Sequence, residues 1–138
     1  MREIFVDTSA YFALANRRDK NHEAAIRIVH QFIRERAELL TTNYIVAETH
    51  TLLLNRIGYA TALQTIEELY KSQTRIYRVR EAEERKAFDI IRLYADKEFS
   101  LVDAISFATM ERFHLRQAFA FDHHFAQFGF SLLPAIRS

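Results

Sequence analysis

Arg2-Glu3-Ile4-Phe5-Val6-Asp7-Thr8-Ser9 decides how this chain folds. Ile4, Phe5 and Val6 make an uninterrupted β-branched and aromatic run, which reads as a buried strand. Asp7, Thr8 and Ser9 end it abruptly with three residues that favour turns and helix caps. A second run, Ala118-Phe119-Ala120-Phe121, ends the same way on Asp122, and Phe130-Ser131-Leu132-Leu133 forms a short last strand. Between them lie segments of helical period. Asp19 or Asn21 caps a helix to about Ala37 that carries Ala25, Ile28, Val29, Phe32 and Ile33 on one side. Leu39-Leu40-Thr41-Thr42 is a short apolar stretch closed by hydroxyl caps. The spacing predicts a helix over 43–57 closed by Gly58 as a left-handed terminator. Further helices are expected over 60–71, 81–95 and, capped by Ser100, to about Phe113, with a strand over 74–79. Strands separated by helices and never joined by a hairpin signal imply a parallel sheet covered on both faces. Ligands of such sheets bind outside the carboxyl ends of the strands, where strand order reverses. Asp7 and Asp122 stand at two such ends.

The 138 residues suit a single domain spanning 1–138. Average usage would supply about 10 Gly and 7 Pro, yet the chain has 2 and 1, which leaves no room for a flexible linker. Two glycines also exclude a phosphate-cradling P-loop and a dinucleotide fingerprint, both of which need several. With no cysteine there is no disulfide framework, thiolate zinc site or cysteine nucleophile. No apolar run approaches the length of about 20 residues that a membrane span needs, and Asp7 falls where a secretory signal would be apolar. A cytoplasmic location with no membrane partner is the expectation. The net charge of +1 supplies no global basic field, so any nucleic-acid binding must rest on local arrangement.

Four acids stand at positions that need an explanation. Asp7 and Asp122 each have two readings, helix cap or site carboxylate. Glu48 flanks the apolar stripe of Ile45, Val46, Leu52, Leu53 and Ile57, where it pairs with an arginine such as Arg56, reaches to water, or serves a site. Asp103 lies in a helix that is apolar nearly all round. It either closes a capping box with Ser100 or faces a site. Acids gathered at one sheet edge repel one another unless a cation lies between them or a proton is taken up. All-oxygen ligation suits a hard divalent ion such as Mg²⁺, and such a site supports in-line attack of water on a phosphodiester.

Phe5-Val6-Asp7-Thr8-Ser9-Ala10, Val46-Ala47-Glu48, Ser100-Leu101-Val102-Asp103-Ala104 and Ala120-Phe121-Asp122-His123-His124-Phe125, in that order, resemble the PIN-domain nucleases, and most of all the stand-alone ribonuclease toxins of the VapC type. The resemblance runs from Ile4 to about Leu133. It implies a three-layer α/β/α sandwich around a short central parallel sheet, and a metal-dependent endoribonuclease using Mg²⁺ or Mn²⁺. Asp7 and Asp103 would be the principal ligands, with Glu48 and Asp122 completing the catalytic site. Thr8 and Ser9 match hydroxyls that orient the first acid or a ligand water. RNA is the implied substrate, and a cognate antitoxin the implied partner. A housekeeping RNA-processing nuclease and a non-catalytic RNA- or protein-binding module of the same fold are the competing readings.

Other residues are assigned ordinary roles. His123 and His124 could serve as general base or ligand but are expected on a surface turn, and His22 is expected at a helix start rather than on a lip near the substrate. Arg17, Arg18, Lys20, Arg75, Arg78 and Arg80 are either solvated charges or phosphate grips, and Tyr11, Tyr44 and Tyr59 are candidates to stack on bases. The apolar width of the 43–57 helix, followed by Leu63, Ile66, Leu69 and Tyr70, is read either as ordinary packing or as a protein interface, the latter in keeping with an expected homodimer.

Overall fold

A computed structural model describes residues 2–135. Among them are strands β1 (Glu3–Val6), β2 (Glu38–Thr42), β3 (Arg75–Tyr77), β4 (Gln117–Phe119) and β5 (Ser131–Leu133). The helices are α1 (Thr8–Ala15), α2 (His22–Glu35), α3 (Asn43–Arg56), α4 (Tyr59–Lys71), α5 (Glu81–Leu93), α6 (Leu101–Arg112) and α7 (His124–Phe128). The strands form one all-parallel sheet in the order β3-β2-β1-β4-β5. Phe5 at its centre pairs with Leu40 on one side and Ala118 on the other. The chain therefore builds outward from β1 to β3, then crosses back to lay β4 against the free side of β1. Strand order reverses between β1 and β4, and the crevice expected there opens just beyond Val6 and Phe119.

Alternation along β1 divides the core into two. Ile4 and Val6 face α1 and α2, packing with Ala10, Ala13, Ala25 and Phe32. Phe5 faces the opposite layer with Leu40, Ala104, Ile105, Phe107 and Ala108. These two layers of helix around the sheet are the α/β/α sandwich anticipated above. Helix α6 is buried continuously from Asp103 to Met110, which is why it lacks a polar stripe. Phe107 anchors that layer, stacking on Phe128 at 4.6 Å and meeting Phe99 and Phe125 edge-on at 5.0 Å each. Helix α4 packs on α3, and together they leave Leu54, Ile57, Tyr59, Leu63 and Tyr70 exposed. No described helix is long and apolar enough to cross a membrane.

Strand boundaries differ from the sequence reading where side chains capture backbone amides. Phe121 falls outside β4 because its N–H donates to Ser9 Oγ at 2.9 Å. Val79 falls outside β3 because its N–H donates to Asn43 Oδ1 at 2.9 Å. Gly58 adopts φ +139° and ψ 174°, a glycine-only region but not the left-handed helical one, and it starts α4 rather than closing α3 alone. Asp19 binds the Asn21 amide and Asn21 makes no side-chain cap bond, so neither caps α2 through its side chain.

Candidate metal centre

The four acids, Glu48 on α3, Asp103 on α6, Asp7 directly after β1 and Asp122 on the connection after β4, approach one another at the carboxyl end of β1 and β4. Asp7 caps α1: its Oδ2 accepts from the Ser9 amide at 3.1 Å and the Ser9 hydroxyl at 2.7 Å. Its own amide donates to Phe119 O at 3.0 Å, and Ser9 Oγ also holds Phe121, so the ends of β1 and β4 are tied together at this point. Glu48, half-buried on α3, accepts from Thr8 Oγ1 at 2.5 Å. Asp103 closes a capping box with Ser100, its Oδ2 accepting the Ser100 amide at 3.1 Å while its amide donates to Ser100 Oγ at 3.0 Å. Asp122 Oδ1 accepts the His124 amide at 2.9 Å.

A common pattern emerges. Each carboxylate has one oxygen anchored by donors of the chain, while among the described residues no donor reaches Asp7 Oδ1, Glu48 Oε2, Asp103 Oδ1 or Asp122 Oδ2. No described Lys or Arg forms an ion pair with any of the four. Capping and site readings are thus compatible: helix-start amides hold one oxygen and leave the other open. Four acids with open oxygens and no Lys or Arg beside them offer a donor set that suits a hard divalent cation. The N-termini of α1 and α3 open toward the same end of the sheet, directly after β1 and β2, and add positive potential that favours anions.

The electrostatics express the crowding. Burial is the main cause that pushes the Asp7 carboxyl up to about 7, with the charges of Asp122 and Asp103 adding to it against the Ser9 bonds. Glu48 is also raised, first by burial and then by Asp103 and Asp122, against the Thr8 bond. Both groups feel the acids of α6 and the β4 end. The closest grouping of ligand atoms comprises Asp103, Asp122 and His124, which lie within 4.8 Å of one another; Asp7 and Glu48 stand outside that trio.

Several expectations change. Among the described residues Thr8 makes no side-chain bond to Asp7; it holds Glu48, which forms no ion pair with Arg56. His124 is not a free surface residue, since its Nδ1 lies 2.7 Å from Asp103 Oδ2, whereas His123 is exposed. His22 places Nδ1 2.7 Å from Ala13 O, serving the end of α1 as well as opening α2. Tyr11 buries its hydroxyl and Tyr44 donates to Glu84 at 2.6 Å, so of the three tyrosines only Tyr59 is open for stacking. Arg78 and Arg80 follow β3 at the site end of the sheet, while Arg75 lies at the other end over Phe113, 4.8 Å from its ring centroid.

Relatives share this architecture. The chain is 34% identical over 127 residues to the 23S rRNA-specific endonuclease VapC20 of Mycobacterium tuberculosis, covering 92% of this chain and 95% of that one. It is 27% identical over 125 residues to ribonuclease VapC26 of the same organism, covering 89% and 90%. The crystal structure of VapC20, described as a sarcin–ricin loop cleaving toxin, superposes with a TM-score of 0.84 at 33% identity over 92% of this chain and 95% of that one. FitAcB from Neisseria gonorrhoeae superposes with a TM-score of 0.67 at 20% identity over 94% and 95%, a likeness of fold alone. With the PIN domain profile matched over residues 4–131, on a fold that gathers the acids of all four motifs at one sheet end, the chain belongs to the PIN domain family.

Proposed function

We propose that this protein is a divalent-metal-dependent endoribonuclease, the toxin of a VapC-type toxin–antitoxin pair. The observation that carries the reading is the set of four anchored carboxylates, each with one open oxygen and none paired with a described Lys or Arg. Asp7 and Asp103 are the principal ligands of Mg²⁺ or Mn²⁺, and Glu48 and Asp122 complete the site directly or through water. A cation held there supplies charge neutralisation at the phosphodiester and a water of lowered pKa for in-line displacement. The chain's own contribution is preorganisation. Ser9 fixes Asp7, Thr8 fixes Glu48, the Ser100 amide fixes Asp103, and the α1 and α3 N-termini favour the phosphate. Similarity to VapC20 makes ribosomal RNA the first substrate to try.

Incubation of ribosomal and single-stranded RNA with the wild type, Asp7→Asn and Asp103→Asn, with and without Mg²⁺ or Mn²⁺, tests the chemistry. Cleavage is expected only with metal and only in the wild type; metal-independent cleavage, or cleavage surviving both substitutions, refutes it. A cognate antitoxin and a homodimer through the exposed α3–α4 face belong to the same reading. Growth arrest on expression of the wild type but not of Asp103→Asn separates toxin from housekeeping nuclease, and the mass in solution of wild type against Leu63→Arg tests the dimer.

A further inference from the structure

His124 is the side chain that touches two of the four acids. Its Nδ1 lies 2.7 Å from Asp103 Oδ2 and 3.4 Å from Asp122 Oδ1. An ionised carboxylate only accepts, so the ring donates through Nδ1–H, and that nitrogen has no lone pair left for a cation. Both oxygens it meets are the anchored ones: Asp103 Oδ2 also takes the Ser100 amide, and Asp122 Oδ1 the His124 amide. The imidazole thus sits on the held side of each carboxylate, away from Asp103 Oδ1 and Asp122 Oδ2. Phe99 backs the ring edge-on, with centroids 5.5 Å apart at 74°, and Phe125 in the next position is fully buried, so α7 cannot shift without opening the core.

Resting on the reading of these acids as metal ligands, we propose that His124 is a positioning residue: its ring N–H holds Asp103 on α6 while its own backbone N–H holds Asp122 after β4, so that one residue ties the two carboxylates into one relative orientation and presents their open oxygens to the same cation. The physical need is specific. Asp103 otherwise depends on one 3.1 Å amide bond from Ser100, and Asp122 lies on a short connection between β4 and α7. Without the imidazole Asp103 keeps only the Ser100 amide and Asp122 only the His124 amide, nothing links the two carboxylates, and the pair is no longer preset. Outer partners of this kind support ligands that would otherwise spend binding free energy on becoming ordered.

The test measures Mn²⁺ binding to the whole protein by calorimetry and electron paramagnetic resonance, in the wild type, His124→Phe, His124→Asn and Asp103→Asn. Phe keeps a ring against Phe99 and removes the donor; Asn restores an N–H close to the place of Nδ1. The expected result is an affinity loss of about 10- to 100-fold for His124→Phe, with a native circular dichroism spectrum, and recovery of most of that loss in His124→Asn. Wild-type affinity in Asp103→Asn refutes the metal-centre reading and this proposal with it. Loss in Asp103→Asn with none in His124→Phe refutes the proposal alone. So does an Asn variant no better than Phe, or an imidazole nitrogen coupling in the Mn²⁺ spectrum, which would make His124 a ligand.

Discussion

Replacing Asp7 by Asn should stabilise the metal-free protein, and by an amount set by pH. Asp7 is 4% exposed, and its carboxyl is pushed from 3.8 up to about 7, chiefly by burial. The sign follows from where the proton goes. Between those two values the folded protein keeps a proton that the unfolded chain has released, so the neutral acid contributes stability at low pH. That contribution is complete below about pH 4, falls by up to about 1.4 kcal/mol per pH unit, and is gone above about pH 7. At 1.36 kcal/mol per unit, the whole window amounts to about 4 kcal/mol. Asn stays neutral throughout and retains an oxygen to accept from Ser9. Urea unfolding of both proteins in a chelator, at half-unit steps from pH 4 to 8.5, should show nearly equal stability at pH 4. A gap in favour of Asp7→Asn should then widen to pH 7 and level off. Saturating Mn²⁺ at pH 8 should close much of that gap, since a ligand at 100 times its Kd adds about 2.7 kcal/mol to the protein that binds it. A gap independent of pH, or one that favours the wild type as pH rises, would show that Asp7 is not an uncompensated buried charge.

Three further outcomes follow from the same contacts. Ser9→Ala removes the hydroxyl shared by Asp7 Oδ2 and the Phe121 amide; leaving that amide without a partner should cost about 1–3 kcal/mol in urea unfolding, together with weaker Mn²⁺ binding. Thr8→Val removes the bond that lowers the Glu48 carboxyl and keeps the shape, so the acid limb of the pH–rate profile should move to higher pH; an unchanged limb would exclude Glu48 from the titration that controls rate. Phe107→Ala empties the centre of the α6 layer, which is 0% exposed, and should cost about 3–5 kcal/mol. Calorimetric melting reads that loss.

The sheet was legible in the sequence because Ile4-Phe5-Val6 and Ala118-Phe119 have no polar interruption, and a strand buried on both faces leaves that trace. Strand ends were less so. Phe121 and Val79 leave the ladder because Ser9 and Asn43, 112 and 36 residues away, take their amides, and no local window contains that information. The same distance hid two roles at the site. Thr8 meets Glu48 across 40 residues, a contact that its place beside Asp7 does not reveal, and His124 meets Asp103 only after β4 has crossed back beside β1.

The most instructive case is the acid that also caps. In the sequence, capping and metal ligation look like rival explanations for Asp7 and Asp103, because each accounts for an aspartate at the start of a helix. In space one makes the other possible. A carboxylate with two free oxygens must lose rotational freedom on binding, whereas one held by a helix-start amide has already lost it. The bonds from Ser9 and Ser100 thus confine Asp7 and Asp103, and the remaining oxygen of each is delivered at a place set by the backbone rather than by a flexible side chain. Helix-start amides also attract the negative charge that the cluster must concentrate before any cation arrives. A sequence that puts an acid at the first turn after a buried strand, and a second at the start of a helix buried along most of its length, therefore specifies orientation together with charge.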